Sequence, residues 1–409
     1  MRIAQLVAAI LFVSFPLFGE TGKPFENSSQ VQPEPGAVWD FTKPLWVLFA
    51  QERVLLPDSP ESEIIPRAAF AYYRPIGEGR RLFLILAGIA YLCNVHFENK
   101  DGYEAETSIF TMLMPVGSSL FRDGAEVKPE GYEETWTDAA VRAKKTWGKE
   151  MRFRIGIDYE MAYRHYQTSD DTDTTFVLPN DTFTHKFDAS MSLDSRGRGK
   201  TGDYNRGVDF SLGIEHEIRD NWNAWGLGGA QYTDPDAKHA TTFFGSVEAH
   251  HSFDSRDGYL LHAKVRAARG WDLDRLTYIR LGGGGFGRQF DRVGAGSTGA
   301  ANDGELLRTD GVPGYFGGEF FTDRYWQFNF EMDLPASTSS RFHLYGAGAR
   351  FVDLLKTGEP WHTIYGFGAG YTKVFNQMTR GYRLDLAHSP EADRDGGSTE
   401  FTVTYLQLF

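Results

Sequence analysis

The chain of 409 residues holds a single cysteine, Cys93, so no internal disulfide framework can staple it and no paired Cys/His zinc spacing can be built. Cationic residues are outnumbered, 42 Lys and Arg against 55 Asp and Glu, and no basic stripe with interleaved aromatics runs through the sequence. That balance excludes a nucleic-acid footprint. Long hydrophobic runs are also missing once the first residues are passed. The nearest, "LFLILAGIAYLC" over 82–93, is bounded by Arg80, Arg81 and Asn94 and falls short of the ~20 residues a membrane helix needs. A mean hydropathy of −0.40 would ordinarily mean a soluble protein. One architecture escapes that inference: a transmembrane barrel alternates lipid-facing and lumen-facing residues and averages to a polar value.

What the chain does have is an apolar start and a recurring period of two. "MRIAQLVAAILFVSFPLFGETG" places Arg2 before an apolar run and small residues near Gly19, the outline of a secretory signal peptide over 1–19, so export is expected. Residues 20–45 are rich in Pro, Ser and Gly without a clear period and read as a periplasmic linker or N-terminal segment. From 46 to 409 the alternation dominates. In "WQFNFEMDLP", Trp326, Phe328, Phe330, Met332 and Leu334 fall on one face of a strand and Gln327, Asn329, Glu331 and Asp333 on the other. "MRFRIGIDYEMAYRHY" (151–166), "VDFSLGIEHEI" (208–218), "YLLHAKVRA" (259–267) and "GYRLDLA" repeat the pattern between turn clusters such as "TDPDAK" and "SFDSRDG". Polar faces with charges of both signs suit a wet or plugged interior better than a sandwich core. The expectation is therefore an all-β chain forming a transmembrane antiparallel β-barrel of about 16 strands, within 14 to 16. One segment, "EETWTDAAVRAKKTWGKE" (133–150), breaks the period and predicts a short helix in a loop.

Residues with chemical potential are scattered. His250 and His251 are adjacent and point to opposite faces of a strand, so they cannot share a metal. "SDDTDT" (169–174) lacks the Gly and terminal Glu of an EF-hand loop and reads as solvated. "GGGGFG" (282–287) has no helix after it to cradle phosphate and reads as a strand end approached by another backbone. No catalytic set, cofactor or metal site is expected, and the chain is not expected to be an enzyme. Glu331, Asp333, Arg152, Arg154, Lys264 and Arg266 are expected to face the lumen. The final segment "FTVTYLQLF" alternates Phe401, Val403, Tyr405 and Phe409 and reads as a closing strand that ends on an aromatic residue.

The last ~130 residues resemble the C-terminal barrel of the BamA/TamA outer-membrane family, the bacterial surface antigens. The blocks that carry the resemblance are "IRLGGGGFGRQF", "VPGYFGGEFFTDRYWQFNFEMDLP", "FHLYGAGARFVDL" and the closing "YGFGAGYTKVFNQMTRGYRLDLAHSPEADRDGGSTEFTVTYLQLF". The resemblance implies a long loop folded back into the lumen, its tip at Pro313, Gly314 and Tyr315 and its following strand opened by Asp323 and Arg324. Where the family has Arg, this chain has Pro313; the anchoring cation is missing or supplied elsewhere, with Arg288 and Arg324 as candidates. The family's insertases carry periplasmic modules before the barrel, for which the mature chain has no space. The implied function is assistance to insertion or passage of outer-membrane proteins, with a channel or surface-exposed structural antigen as the alternative. The implied location is the outer membrane of a double-membraned bacterium. The implied partners are membrane lipids and unfolded outer-membrane protein substrates, with the chain itself a monomer.

Overall fold

The computed structural model describes residues 44–409 apart from 57–66, 78–79, 87–89, 99–100, 113, 119, 123–124, 149–150, 199–203, 254–258, 284–310, 316–318, 338, 357–360, 376–379, 393–396 and 409. The expected signal peptide (1–19), most of the segment 20–45, Arg288 and Phe409 thus lie outside the described residues.

The main strands are β1 (Leu45–Leu56), β2 (Arg67–Gly77), β3 (Arg80–Leu86), β4 (Ala90–Glu98), β5 (Tyr103–Met112), β6 (Tyr132–Trp147), β7 (Arg152–Gln167) and β8 (Thr182–Asp194). They continue as β9 (Tyr204–Arg219), β10 (His239–Ser252), β11 (Leu260–Trp271), β12 (Arg324–Ser337), β13 (Ser340–Phe351), β14 (His362–Phe375), β15 (Arg380–Ser389) and β16 (Ser398–Leu408). Among the described residues the sheet has 18 strands; setting aside the short pieces Val116–Ser118 and Gly197–Arg198 leaves these sixteen. Each pairs antiparallel with its neighbours in chain order. The ring closes where β1 pairs with β16, from Val47 opposite Leu408 to Leu56 opposite Thr399. Closure leaves no strand edge, the condition for a sheet to sit in hydrocarbon.

Polarity is inverted relative to a water-soluble domain. Trp326 is 48% exposed and Ile157 62%, whereas Gln327 is 2% exposed and Asp333 7%. All of Phe153, Ile155, Tyr159, Met161 and Tyr163 on β7 face outward like Ile157. Aromatic residues gather at both rims of this belt. Trp147 stacks on Phe153 at 5.6 Å and Lys145 lies 3.5 Å over Tyr103 at the short-turn end. At the other end Trp361 lies under Arg324 and Arg350, and Arg269 lies over Trp271. An outward apolar band between two aromatic girdles is the signature of a membrane-spanning barrel. No helix among the described residues is long and apolar enough to cross a membrane.

The helix expected over 133–150 does not form; the segment is the long strand β6, paired with β5 and β7. Its outward positions are Thr137, Ala139, Val141 and Ala143, and its inward ones Asp138, Ala140, Arg142 and Lys144. Alanine on the lipid side weakens the apolar alternation, and two flanking ladders override its helix propensity.

At the long-loop end, the described residues of the connections after β5, β7, β9 and β11 meet in one cap. Buried Arg275 donates to Glu130 O at 2.7 Å and Ser118 O at 2.6 Å and lies 4.9 Å over the Tyr132 ring. Burial pulls its guanidinium pKa down, and burial also pushes the Tyr278 phenol up to about 12. Asp274 receives Arg219 at 2.9 Å and the Trp225 Nε1–H at 3.3 Å. Tyr132, Tyr166, Phe176 and Trp225 form the apolar centre beneath these bonds. In the 168–181 connection, the Thr175 N–H and hydroxyl both donate to Asp173 at 2.7 Å and hold its pKa below the usual carboxylate value. Asp181 is depressed as well: burial acts upward, but bonds to His165 and the Tyr166 N–H outweigh it.

Placing a cation on the belt with Ile157→Arg is expected to cost about 2–4 kcal/mol in equilibrium folding into lipid vesicles, while lumen-facing Ser190→Arg costs less than half as much. Because the Asp173 and Asp181 carboxyls are depressed on folding, the stability they add is complete above the unfolded value of about 3.9 and is lost as pH falls through their lower folded values. Protection of the Thr175 and Tyr166 amides should therefore fall as pH drops below about 4, ahead of amides in the middle of the barrel strands.

Candidate functional site

Between β11 and β12, residues 311–315 lie on the lumen wall. Val312, Pro313, Gly314 and Tyr315 are all buried, against the inner faces of β13 to β16. Val312 N–H donates to Gly282 O at 2.9 Å, and Asn329 Nδ2 on β12 donates to Gly311 O at 3.3 Å. This is the close backbone approach expected at the glycine run. Gly314 sits at φ +87°, and a Cβ there would come within 2.7 Å of Ser389 Cβ on β15, so conformation and space both demand glycine. Its N–H donates to Glu400 Oε2 on β16 at 2.8 Å, while Thr402 holds Glu400 Oε1 at 3.0 Å.

Tyr315 packs edge-on to Phe320 at 5.4 Å, and Phe320 meets Phe351 at 4.9 Å. Small wall residues make the room: Ala347 and Ala349 on β13 lie beside Ile364 in the same apolar cluster as Val312 and Tyr315. On β14, "GFGAG" puts glycine at each inward position. A Cβ on Gly366 would come within 2.9 Å of Pro313 Cγ, and one on Gly368 within 2.6 Å of the Tyr345 ring. Side chains from β13 and β15 can therefore meet across β14. Arg383 donates to both oxygens of Glu331 (3.2 and 2.9 Å) and through Nε to Asp385 at 2.8 Å; His343 Nε2 lies 2.7 Å from Asp385 Oδ1. These four buried groups tie β12, β13 and β15 together on the lumen side. Breaking one member of such a set strands a buried charge, which is why the set acts as a unit.

Pro313, Gly314 and Tyr315 thus lie together on the lumen wall, and of the two candidate cations Arg288 lies outside the described residues. Arg324 stands at the start of β12, 3.4 Å from Asp323 and over Trp361 on the rim, away from the loop tip. At the tip itself Glu400 accepts the main-chain N–H of Gly314. All six expected lumen charges face inward, but they are dispersed. Glu331 joins Arg383, Asp333 lies 3.4 Å from Arg341, Arg152 and Arg154 lie 2.8 and 3.5 Å from Asp194, and Lys264 lies 3.1 Å from Glu248. Arg266 faces inward between outward Val265 and Ala267, opposite Gln327. On β16, Phe401 points outward, with Val403 and Tyr405 on the same side, while Glu400, Thr402 and Thr404 are buried inside.

These observations coincide with a known architecture. BamA from Haemophilus ducreyi lacking POTRA domains 1–3 superposes with a TM-score of 0.55 at 11% identity, over 90% of this chain and 70% of that one. The fold is that of the BamA-type barrel. CdiB from Acinetobacter baumannii (TM-score 0.53, 10% identity, 89% of this chain and 60% of that one) and CdiB from Escherichia coli (0.56, 9%, 88% and 63%) share it. The chain therefore spans less than two thirds of the length of either CdiB. No family model matches the sequence, and no curated protein matches it either. Within the BamA-type frame, Glu248, His250 and His262 form an inward cluster that the sequence reading missed, because it paired His250 only with its neighbour His251.

Glu400→Ala is expected to raise Gly314 amide exchange at least about tenfold, since it removes a charge-assisted acceptor. Gly314→Ala should destabilise the folded barrel by about 1–2 kcal/mol from the left-handed backbone alone, measured by urea titration in vesicles.

Proposed function

We propose that this protein acts in the outer membrane of a double-membraned bacterium as a BamA-like barrel that assists the insertion or passage of other outer-membrane proteins. The observation that carries this reading is the loop tip seated on β16, the strand that closes the barrel. Gly314 binds Glu400, and the residues flanking Glu400 in β16, Thr399 and Phe401, pair with Leu56 and Val54 of β1. The lumenal loop thus bears on the seam from inside. An incoming strand can add to a β-edge only if that seam parts, and main-chain hydrogen bonds then supply affinity without sequence specificity. The fold likeness, the lipid-facing belt and the apolar start of the sequence support the location. The partners in this reading are lipids and unfolded barrel substrates; the chain works as a monomer and performs no catalysis.

A second reading, a barrel that keeps the fold as a channel or surface antigen, draws on a different observation. The β1–β16 register is unbroken and longer than the β1–β2 register, which runs from Leu45 opposite Tyr73 to Gln51 opposite Arg67 among the described residues.

A disulfide across the seam separates the two. With Cys93 replaced, Ala50→Cys and Tyr405→Cys stand opposite each other. Under oxidation the assisted folding of a test barrel into vesicles should fall to the unassisted rate, and reduction should restore it. Assistance that persists with the seam locked would remove the proposal. In planar bilayers the unmodified protein should show little steady conductance, and Arg275→Ala, which unpins the cap, should raise it; a large steady conductance in the unmodified protein would favour the channel.

A further inference from the structure

We infer that Glu248, His250 and His262 form a binding site for a divalent transition-metal ion, zinc in the first instance, on the lumen wall near the short-turn end. The backbone alone brings the three together. Glu248 and His250 lie two residues apart on β10 and so share its inward face, and the register places His262 of β11 directly opposite His250. The side chains agree with the register. One ligand atom from each residue lies within 4.8 Å of the others, all three residues are buried, and the two imidazole rings are 4.7 Å apart. His250 Nε2 lies 2.8 Å from Glu248 Oε1. His262 Nε2 is 3.3 Å from the same oxygen, a long and poorly aligned contact, and is shut off from solvent. A buried ring nitrogen held this loosely against a carboxylate is placed as a ligand to an ion between them would be.

The surrounding charges set the affinity. Lys264 Nζ lies 3.1 Å from Glu248 Oε2, and Arg196 lies 3.1 Å from Oε1. Arg196 also has Asp194 at 3.1 Å and Asp209 at 3.7 Å, so it keeps carboxylate partners when an ion takes Oε1. Lys264 can stay on Oε2 and orient the carboxylate as a one-oxygen ligand. Both cations oppose a further positive charge, which makes binding moderate rather than tight. Two neutral imidazoles select nitrogen-seeking ions over Ca²⁺ and Mg²⁺. Two histidines and one carboxylate leave the fourth tetrahedral position to lumen water.

The test uses the full chain folded in detergent micelles, with folding of each variant checked by its heat-shifted gel migration. Titration with ZnCl₂ by calorimetry, and with CoCl₂ by visible absorption, should give one saturable equivalent. His250→Ala and His262→Gln should each weaken it at least about tenfold, and outward-facing His251→Ala should leave it unchanged. Lys264→Gln should tighten binding about fivefold or more, because it removes a competing charge a few ångströms from the ion. Zinc-edge X-ray absorption of the unsubstituted protein reads the ligands without any variant and should show two imidazole nitrogens. No saturable uptake, uptake indifferent to both histidine substitutions, or an all-oxygen shell would overturn the site.

Discussion

Hydrocarbon offers a peptide group nothing to bond, and the rest of this structure follows from that. A sheet placed in lipid must satisfy every main-chain N–H and C=O from within, so its first strand has to find its last. Pairing of β1 with β16 meets that demand. Once the ring is closed, the outer face has lipid for solvent and the inner face has only other side chains and water. Trp326, Phe328 and Phe330 can then stand exposed while Gln327, Asn329 and Glu331 between them are buried.

The interior has to manage its charge by geometry. The Arg383, Glu331, Asp385 and His343 set spans strands that are not adjacent, and it can do so because β14 presents glycine at its inward positions. The same absence of side chains gives Pro313 its seat. One strip of bare backbone thus serves two ends, a lateral ionic tie between strands and a berth for the returning loop.

Much of this could be read from the chain, and what could not has a common cause. Alternation in 326–335 and 152–167 announces a barrel because large apolar residues mark every second position. In 133–147 the same alternation is present but is written in Thr and Ala, too faint for periodicity to separate from a helix. Gly314 is visible as a motif; its partner Glu400 lies 86 residues away and becomes visible only with the fold. His262 meets His250 through the pairing of β10 with β11, a register that no local spacing records.

The contact between Gly314 and Glu400 has its own consequence for how the loop can change over evolutionary time. A cation at a loop tip can be traded, screened by salt or lost by a single base change. Here the donor belongs to the peptide backbone, and the left-handed turn against Ser389 restricts the position that supplies it to glycine. Selection therefore acts through shape, on whether the tip can reach the wall at all, and the latch holds at ionic strengths that would loosen an exposed ion pair.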